Sequence, residues 1–492
     1  MVAPERRQNI QEVPLEIVGS NTFGRYSKIS VAQTFNMLIS DNALVPYAGY
    51  KVIIKQSPLA QGRDLYASSR GDIILAIWGS QVYTIDNGLH ATFRGLLASS
   101  TGDVFIAENN SGEIAITDLI NIYVYSWIDH SFKTSTRGSV GENQFSIPLA
   151  LTNPGYIAFQ NGRLLVANVN STNWYLSGAN DATSWSSNSQ FVGSLQSKPD
   201  TVQAAVPTPG GGNNLYLFGH DVIEQWQDVG AALFPYQRSS TFNVNYGTLN
   251  ASSIAALDEY VAWISSNEQS GAALMVIEGN QANKISTDGI DYKLANLTNP
   301  ANCTGFMFRQ DGHVIYQFTF PDDNLSYAYD FNTKKFFTVT DENLNYHIAR
   351  NVVFFNNKYY FVSLKGGNLY EFGTQYTDFD YSDGLVYEIP RIRITPPLRL
   401  PSQAMFIIKS LAFTVESGQP NSDLTQSIDL AVSRDGGVSF GNFWRKIQNT
   451  TGSRQNRLRW QQVGQANDAT FQFRFNGYER YVALDGVAEV YS

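Results

Sequence analysis

At 492 residues the chain exceeds the about 250–300 at which a single core stops growing, so two or three domains, or one large closed β architecture with appendages, are expected. Aromatics reach 13% while charged residues make up only 16%, against about 25% in ordinary soluble proteins, a balance suited to strands and buried subunit contacts in an assembly. The net charge of −9 is unevenly spread, with 15 Lys/Arg against 30 Asp/Glu from Tyr66 to Pro390 and 12 against 6 from Arg391 to Arg480, and an acidic body excludes tight nucleic-acid binding by counterion release.

Residues 1–20 are polar, with Pro4 and Pro14, and read as an arm that packs on something else. Thr22 to Ile54 forms an extended entry segment in which Pro46 and Gly49 mark a turn. Residues 1–64 are therefore taken together as arm and entry. From Leu65 an array of short alternating strands begins. Asp72–Gly88 and Gly102–Asp118 each place two strands around a Gly turn, and Tyr156–Trp185 runs strand, Asn161-Gly162 turn, strand, polar loop, then an aromatic strand. In Gln190–Gly230, alternating runs at Thr201–Val206 and Asn214–Gln227 flank a Pro/Gly cluster, and a tight turn at Gly219-His220 splits the second run into a hairpin. Similar units follow at Ser253–Lys284, Gly305–Thr340 and Val352–Phe372. This recurrence is the mark of a radial β array, and dividing residues 65–375 by the roughly 40–50 residues of a blade predicts a β-propeller of six or seven blades. At Tyr376 the pattern changes. Residues 376–409 read as a linker, Pro-rich and basic at its centre, and residues 410–492 as a second all-β domain, a small β-sandwich. The fold class is all-β throughout.

Chemistry-bearing motifs are few. The single cysteine, Cys303, excludes an intrachain disulfide and is expected to be buried and inert. No apolar run approaches the about 18 residues of a membrane span and the start lacks a signal-peptide core, so a soluble protein used without secretion is expected. Ser433-Arg434-Asp435-Gly436-Gly437-Val438-Ser439-Phe440 fits the Asp-box of sialidases and other propellers, which is a turn device. The overlapping Gly437-Val438-Ser439-Phe440-Gly441 matches a nucleophile elbow, but no helix pattern follows and none of His90, His130, His220, His313 and His347 is marked as its partner. Asp378, Asp380 and Asp383 with Gly384 are spaced one residue too long for a calcium loop. Zinc spacing, a P-loop and a dinucleotide fingerprint are absent, so neither cofactor nor metal is expected, and no catalysis.

The best interface candidates are Arg391, Arg393 and Arg399, and separately Arg454, Arg457 and Arg459. Arginine suits planar bidentate contact with carboxylates; a solvated strand face is the competing reading for each. An acidic body would let a polyanion slide past without sticking, while the basic end would meet an acidic partner.

Several motifs, in this order, resemble the packaged-DNA-stabilisation proteins, or tail accessory factors, of short-tailed phages. They are Thr34–Asp41 with Val45–Tyr50; Ser197–Asp200, Leu215–Gly219, Ile223–Trp226 and Gly230; Phe320-Pro321 with Tyr329–Thr333; and, near the end, Ser433–Gly441, Arg457–Gly464 and Phe471–Arg474. The resemblance spans about Thr22 to Tyr491. It implies a virion structural protein of the tail, assembled in the host cytoplasm as a six-fold ring below the head-to-tail adaptor. Such a hub retains packaged DNA and forms part of the ejection channel, through which genomic DNA passes without sequence-specific binding. The implied neighbours are the adaptor, tailspike or tail-fibre subunits and a needle or plug protein, with no membrane partner. The alternative from the residues alone is a glycan-binding or glycan-cleaving propeller, motivated by the Asp-box.

Overall fold

The computed structural model describes residues 10–24, 32–55, 60–210, 212–267, 271–376, 378–380, 385–417, 426–448, 455–477 and 481–491. Seven sheets, antiparallel through their central hairpins, follow one another along the middle of the chain. Blade 1 comprises Gly62–Ala67, Ile73–Trp78, Gln81–Asp86 and Ala91–Leu96, and blade 4 comprises Val202–Pro207, Asn214–Gly219, Ile223–Asp228 and Tyr236–Val244. Blades 2, 3, 5 and 6 open with Phe105–Glu108, Pro154–Gln160, Ala255–Leu257 and Thr304–Gln310 respectively. Successive opening strands lie side by side from blade 1 to blade 4 and from blade 5 to blade 7, and that of blade 7, Ala349–Phe355, returns to blade 1; blades 4 and 5 meet through Val206 and Phe218 packed with Val261 and Trp263. The ring therefore closes at seven, resolving the expectation of six or seven.

Local sequence explains the hairpins. Gln160 pairs with Arg163 across Asn161 (φ 48°) and Gly162 (φ 81°), the two left-handed residues that a two-residue turn needs to match strand twist. Packing explains the ring. A half-apolar sheet must cover both faces, and seven apolar clusters fill the seven blade-to-blade seams. Leu75 and Ile77 of blade 1 pack with Ile114 and Tyr123 of blade 2, and the last seam joins Leu65, Ile74 and Trp78 of blade 1 to Tyr360, Val362 and Leu369 of blade 7. One helix, Asp288–Ala295, interrupts the β pattern between blades 5 and 6. Its Ile290 and Leu294 enter the seam there, beside Cys303. The strand-only reading missed this helix because its apolar positions are too few to show a helical period.

The entry segment departs from expectation. Its strand Gly49–Lys55 is the fourth strand of blade 7, antiparallel to Asn368–Gly373 with Gly49 opposite Gly373 and Lys55 opposite Asn368, and Asp378–Asp380 pairs on its far side. Chain start and array end are thus stitched into one sheet, which removes an exposed edge.

The C-terminal part is a two-sheet sandwich. One sheet runs from the Met37–Ser40/Ala43–Pro46 hairpin through Tyr481–Tyr491 and Phe406–Ser417 to Gln455–Ala466. The other contains Arg391–Ile394, Thr470–Asn476, Ser427–Ser433 and Trp444–Ile447. Phe413, Trp460, Phe473 and Phe475 meet between the sheets. The segment read as an arm also joins this sandwich: Ile10–Leu15 is antiparallel to the last strand, Ile10 facing Tyr491 and Leu15 facing Gly486. Residues 1–9 lie outside the described residues. The stretch read as a linker likewise contains a paired strand, Arg391–Ile394, bonded to Gln33–Phe35 on one side and Thr470–Asn476 on the other. Gln33–Phe35 meets blade 6 through Phe35 and Thr338, so a nine-stranded sheet runs without a break from propeller to sandwich.

Candidate functional site: junction, axis and sandwich edge

The residues that carry the resemblance hold the frame together. Asp200 accepts hydrogen bonds from the backbone amides of Thr201, His220, Asp221 and Val222, at 2.7–3.2 Å, so the Ser197–Asp200 motif staples the turn of blade 4. Glu224 is fully buried and accepts from the amides of Gln196 and Ser197 and from Trp226 Nε1 (2.9 Å). Trp226 packs edge-on against Trp174 at 5.7 Å. In blade 6 the Asp330 carboxylate takes His313 Nδ1 (2.9 Å), Thr333 Oγ1 (2.6 Å) and the Asn332 amide (3.0 Å). These carboxylates are bonded within their own blades by the chain itself.

Asn36 and the buried arginines form the junction between the two units. Asn36 adopts φ 53°, and its amide group donates to Thr340 Oγ1 (2.7 Å) and the Pro390 carbonyl (2.8 Å) while its Oδ1 accepts from the Thr340 amide (2.8 Å). One side chain thus ties the entry segment, blade 6 and the start of the sandwich. Arg393, 0% exposed, donates to the Ser20 carbonyl (3.1 Å), Thr34 Oγ1 (3.0 Å) and Glu16 Oε1 (3.0 Å). Burial lowers its pKa to about 10, with Glu16 and Asp485 opposing, so it stays cationic at neutral pH. Arg391 is buried too and donates to the Gly477 carbonyl at 3.2 Å.

The arginines selected from sequence therefore separate. Arg391 and Arg393 lie inside the chain and offer a partner no surface, a correction whose cause for Arg393 is the N-terminal segment: it lies under Glu16, Ser20 and Thr34, which sequence alone did not place on that strand. Arg399 is half-exposed and binds Asp468 through Nε (2.9 Å) and Nη2 (2.5 Å). Arg459 meets Glu489 at 2.7 Å, a carboxylate shared with Lys409 at 3.6 Å. Arg457 is exposed on the same strand with no ion pair among the described residues, and Arg454 lies outside the described residues. Sequence reading passed over the neighbouring exposed strand Trp444–Ile447; an aromatic pair followed by Arg445 and Lys446 was the available signal.

The propeller axis holds a cavity of about 250 Å³ walled by residues of six blades, among them Arg63, Asp64, Phe105, Tyr156, Phe306 and Arg350. At about 30 Å³ per water that is space for a handful of molecules. Arg63 is buried and donates to the carbonyls of Gly102, Ser99 and Thr101 at 2.8–2.9 Å, and Arg350 pairs with Asp103 at 2.7 Å. Loss of hydration raises the Asp64 pKa to about 6, against the bonds from Asn351 Nδ2 and the Leu65 amide.

The remaining motifs resolve as turns. Asp435 accepts from Ser433 Oγ (2.6 Å), the Val438 amide (3.1 Å) and Ser439 Oγ (2.5 Å), bonds that hold its carboxyl well below the usual range. Ser439 is thereby spent on its own turn, and no helix follows it among the described residues. Asp378 and Asp380 fall in a short strand, while Asp383 and Gly384 lie outside the described residues. Cys303 is buried, which pushes its thiol far above the ordinary range and leaves it without thiolate reactivity. Among the described residues no cluster of His, Cys, Asp or Glu could hold a metal, and no helix is long and apolar enough to cross a membrane.

Similar solved structures include virginiamycin B lyase from Staphylococcus aureus (11% identity, TM-score 0.44, covering 66% of this chain and 98% of that one). The N-terminal domain of Nup159 is another (11% identity, TM-score 0.42, covering 69% and 98%). No curated protein matches the sequence. The architecture defines a class, a β-propeller continuous with a β-sandwich and built around structural staples. The family follows from two matches in chain order, to the β-propeller of bacteriophage P22 Gp10 over residues 69–377 and to its β-sandwich over residues 391–490, and the chain belongs to this family. It is thus a phage tail structural protein and a virion component. The strand Gly49–Lys55 that closes blade 7 lies outside both matched ranges.

Proposed function

We propose that this protein is a tail hub subunit. Six copies form a ring below the head-to-tail adaptor, retain the packaged DNA and line part of the ejection channel. Tailspike or fibre subunits and a needle or plug protein are its other neighbours, and assembly takes place in the host cytoplasm. The observation that carries this reading is the pair of family matches, which together take in propeller and sandwich in order.

The axis of the propeller adds a physical constraint. A cavity of about 250 Å³ cannot pass a duplex whose major groove alone is about 12 Å wide, so DNA runs between copies and not through any one of them. The excess of acidic over basic residues from Tyr66 to Pro390 supplies a wall that repels phosphate and leaves DNA free to slide. Retention is then steric closure by subunit contacts, with no covalent step asked of this chain. Particles assembled without the protein are expected to fill with DNA and then lose it, which quantitative PCR of nuclease-resistant genomes would register. Particles that keep their genomes without it would end the retention reading.

A further inference from the structure

The sandwich ends on two strands that pair on one side only. Among the described residues, Trp444–Ile447 is bonded to Ser427–Ser433 and to no strand beyond it, and Gln455–Ala466 is bonded only to Phe406–Ser417. The two lie together: Trp460 Nε1 donates to the Trp444 carbonyl (3.0 Å) and Asn456 Nδ2 to the Gln448 carbonyl (2.6 Å). Every residue of Trp444–Ile447 is exposed. Phe443 and Trp444 are each 41% exposed and Ile447 63%, and none of the three belongs to the sandwich core. Large apolar side chains on an unpaired edge invite association, and soluble proteins normally blunt or cover such edges.

Charge indicates what covers this one. Arg445 is satisfied by Asp429 through two bonds at 2.8 and 2.9 Å. Lys446 and Arg457 are exposed and make no ion pair among the described residues. The nearby Glu416 carboxylate accepts from Gln455. The patch is thus apolar at its centre, and its two cations outnumber the one Glu416 carboxylate, so it fits an acidic protein surface. The chain's propeller carries an acidic excess, with 30 Asp/Glu against 15 Lys/Arg from Tyr66 to Pro390; some of these carboxylates are buried, and Asp129, Glu142, Glu259, Glu278 and Asp311 are exposed. Its own propeller is out of reach. In the nine-stranded sheet, the order from blade 6 is Lys335–Thr338, Gln33–Phe35, Arg391–Ile394, Thr470–Asn476, Ser427–Ser433, Trp444–Ile447. The last strand therefore stands five strand spacings, about 24 Å, from blade 6.

We propose that the edge formed by Phe443–Ile447 and Arg457 docks on the acidic propeller of a second copy of this chain. Basic edge on one side and acidic propeller on the other make a heterologous contact, the kind that closes into a ring when the rotation allows. This rests on the ring proposed above and specifies which surfaces build it.

The test uses the full chain in assembled particles, with benzoylphenylalanine incorporated at position 447 and photo-crosslinks mapped by mass spectrometry. Crosslinked species of twice the chain mass, joined to residues 66–390, are expected. Links to another tail protein, links between two sandwiches, or no link in an intact ring would overturn the proposal while leaving the ring in place. A tail that electron microscopy shows to lack any ring of this chain would instead remove the hub reading itself. The pair Lys446→Glu and Ile447→Asp gives a second arm. Both positions are exposed, so the unfolding temperature is expected to hold while ring yield drops at least tenfold, and unchanged yield would count against the surface.

Discussion

At the scale of single residues, buried polar groups mark where distant segments are fastened. Arg393 is bonded to Glu16, Ser20 and Thr34 of the N-terminal segment. Arg393→Met should destabilise the protein by about 2–4 kcal/mol, because carbonyl and hydroxyl acceptors are left dry and unpaired. A lowered urea midpoint with unchanged slope would register the loss. Gly19→Ala should act in the same direction, since a Cβ there would fall on the Arg393 guanidinium. Asp64 gives a pH signature. Its folded pKa of about 6 lies above the ordinary aspartate value of 3.8, so the folded state holds the proton more tightly. The stability this confers is full below pH 3.8 and lost as pH rises through 6. Between those limits the melting temperature of the native chain should carry a downward component with pH, worth at most about 3 kcal/mol, that Asp64→Asn removes. Identical pH profiles for the two proteins would refute the assignment.

At the scale of elements, the strand Gly49–Lys55 closes the ring. Tyr50 is fully buried and packs edge-on against His347, Phe361 and Tyr370 at 5.4–5.5 Å. A Cβ on Gly49 would collide with the Tyr376 carbonyl and also meet Ile389. Tyr50→Ala is expected to cost about 3–5 kcal/mol, and Gly49→Ala to loosen blade 7, seen as new protease cleavage near residue 376. Resistance equal to the native chain would show that closure tolerates the shift. The hairpins of blade 4 were legible from sequence: runs at Thr201–Val206 and Asn214–Gln227, split near Gly219-His220, match the strands Val202–Pro207, Asn214–Gly219 and Ile223–Asp228. Period-2 alternation and turn residues are local signals, and local pairing obeys them. The pairing of Gly49–Lys55 with a strand more than 300 positions later leaves no such trace.

At the scale of the whole molecule, chain ends and charge decide the architecture. Segments at both ends are woven into the sandwich, and the sandwich shares a sheet with blade 6, so the two units should unfold together. A single calorimetric transition is the expected outcome, and two separated transitions would show that the shared sheet does not couple them. Uneven charge should make association between copies weaken as salt rises from about 50 to 500 mM, because surface attraction is screened within about 10 Å at 0.1 M and about 3 Å at 1 M. Sedimentation of assembled rings across that range measures it.

Composition, alternation and turn chemistry in the sequence determined an all-β chain, a propeller followed by a sandwich, inert Cys303 and the Asp435 turn, since each depends on neighbours within a few residues. The order of loose motifs placed the chain in its family. Tertiary structure decided the blade count, the use of the N-terminal segment in both units, and which arginines face outward. Arg393 and Arg457 look alike in the sequence as exposed basic candidates; one is covered by Glu16, Ser20 and Thr34 and the other is exposed. Burial is set by what packs on a strand from elsewhere in the chain, and that partner is not written beside it.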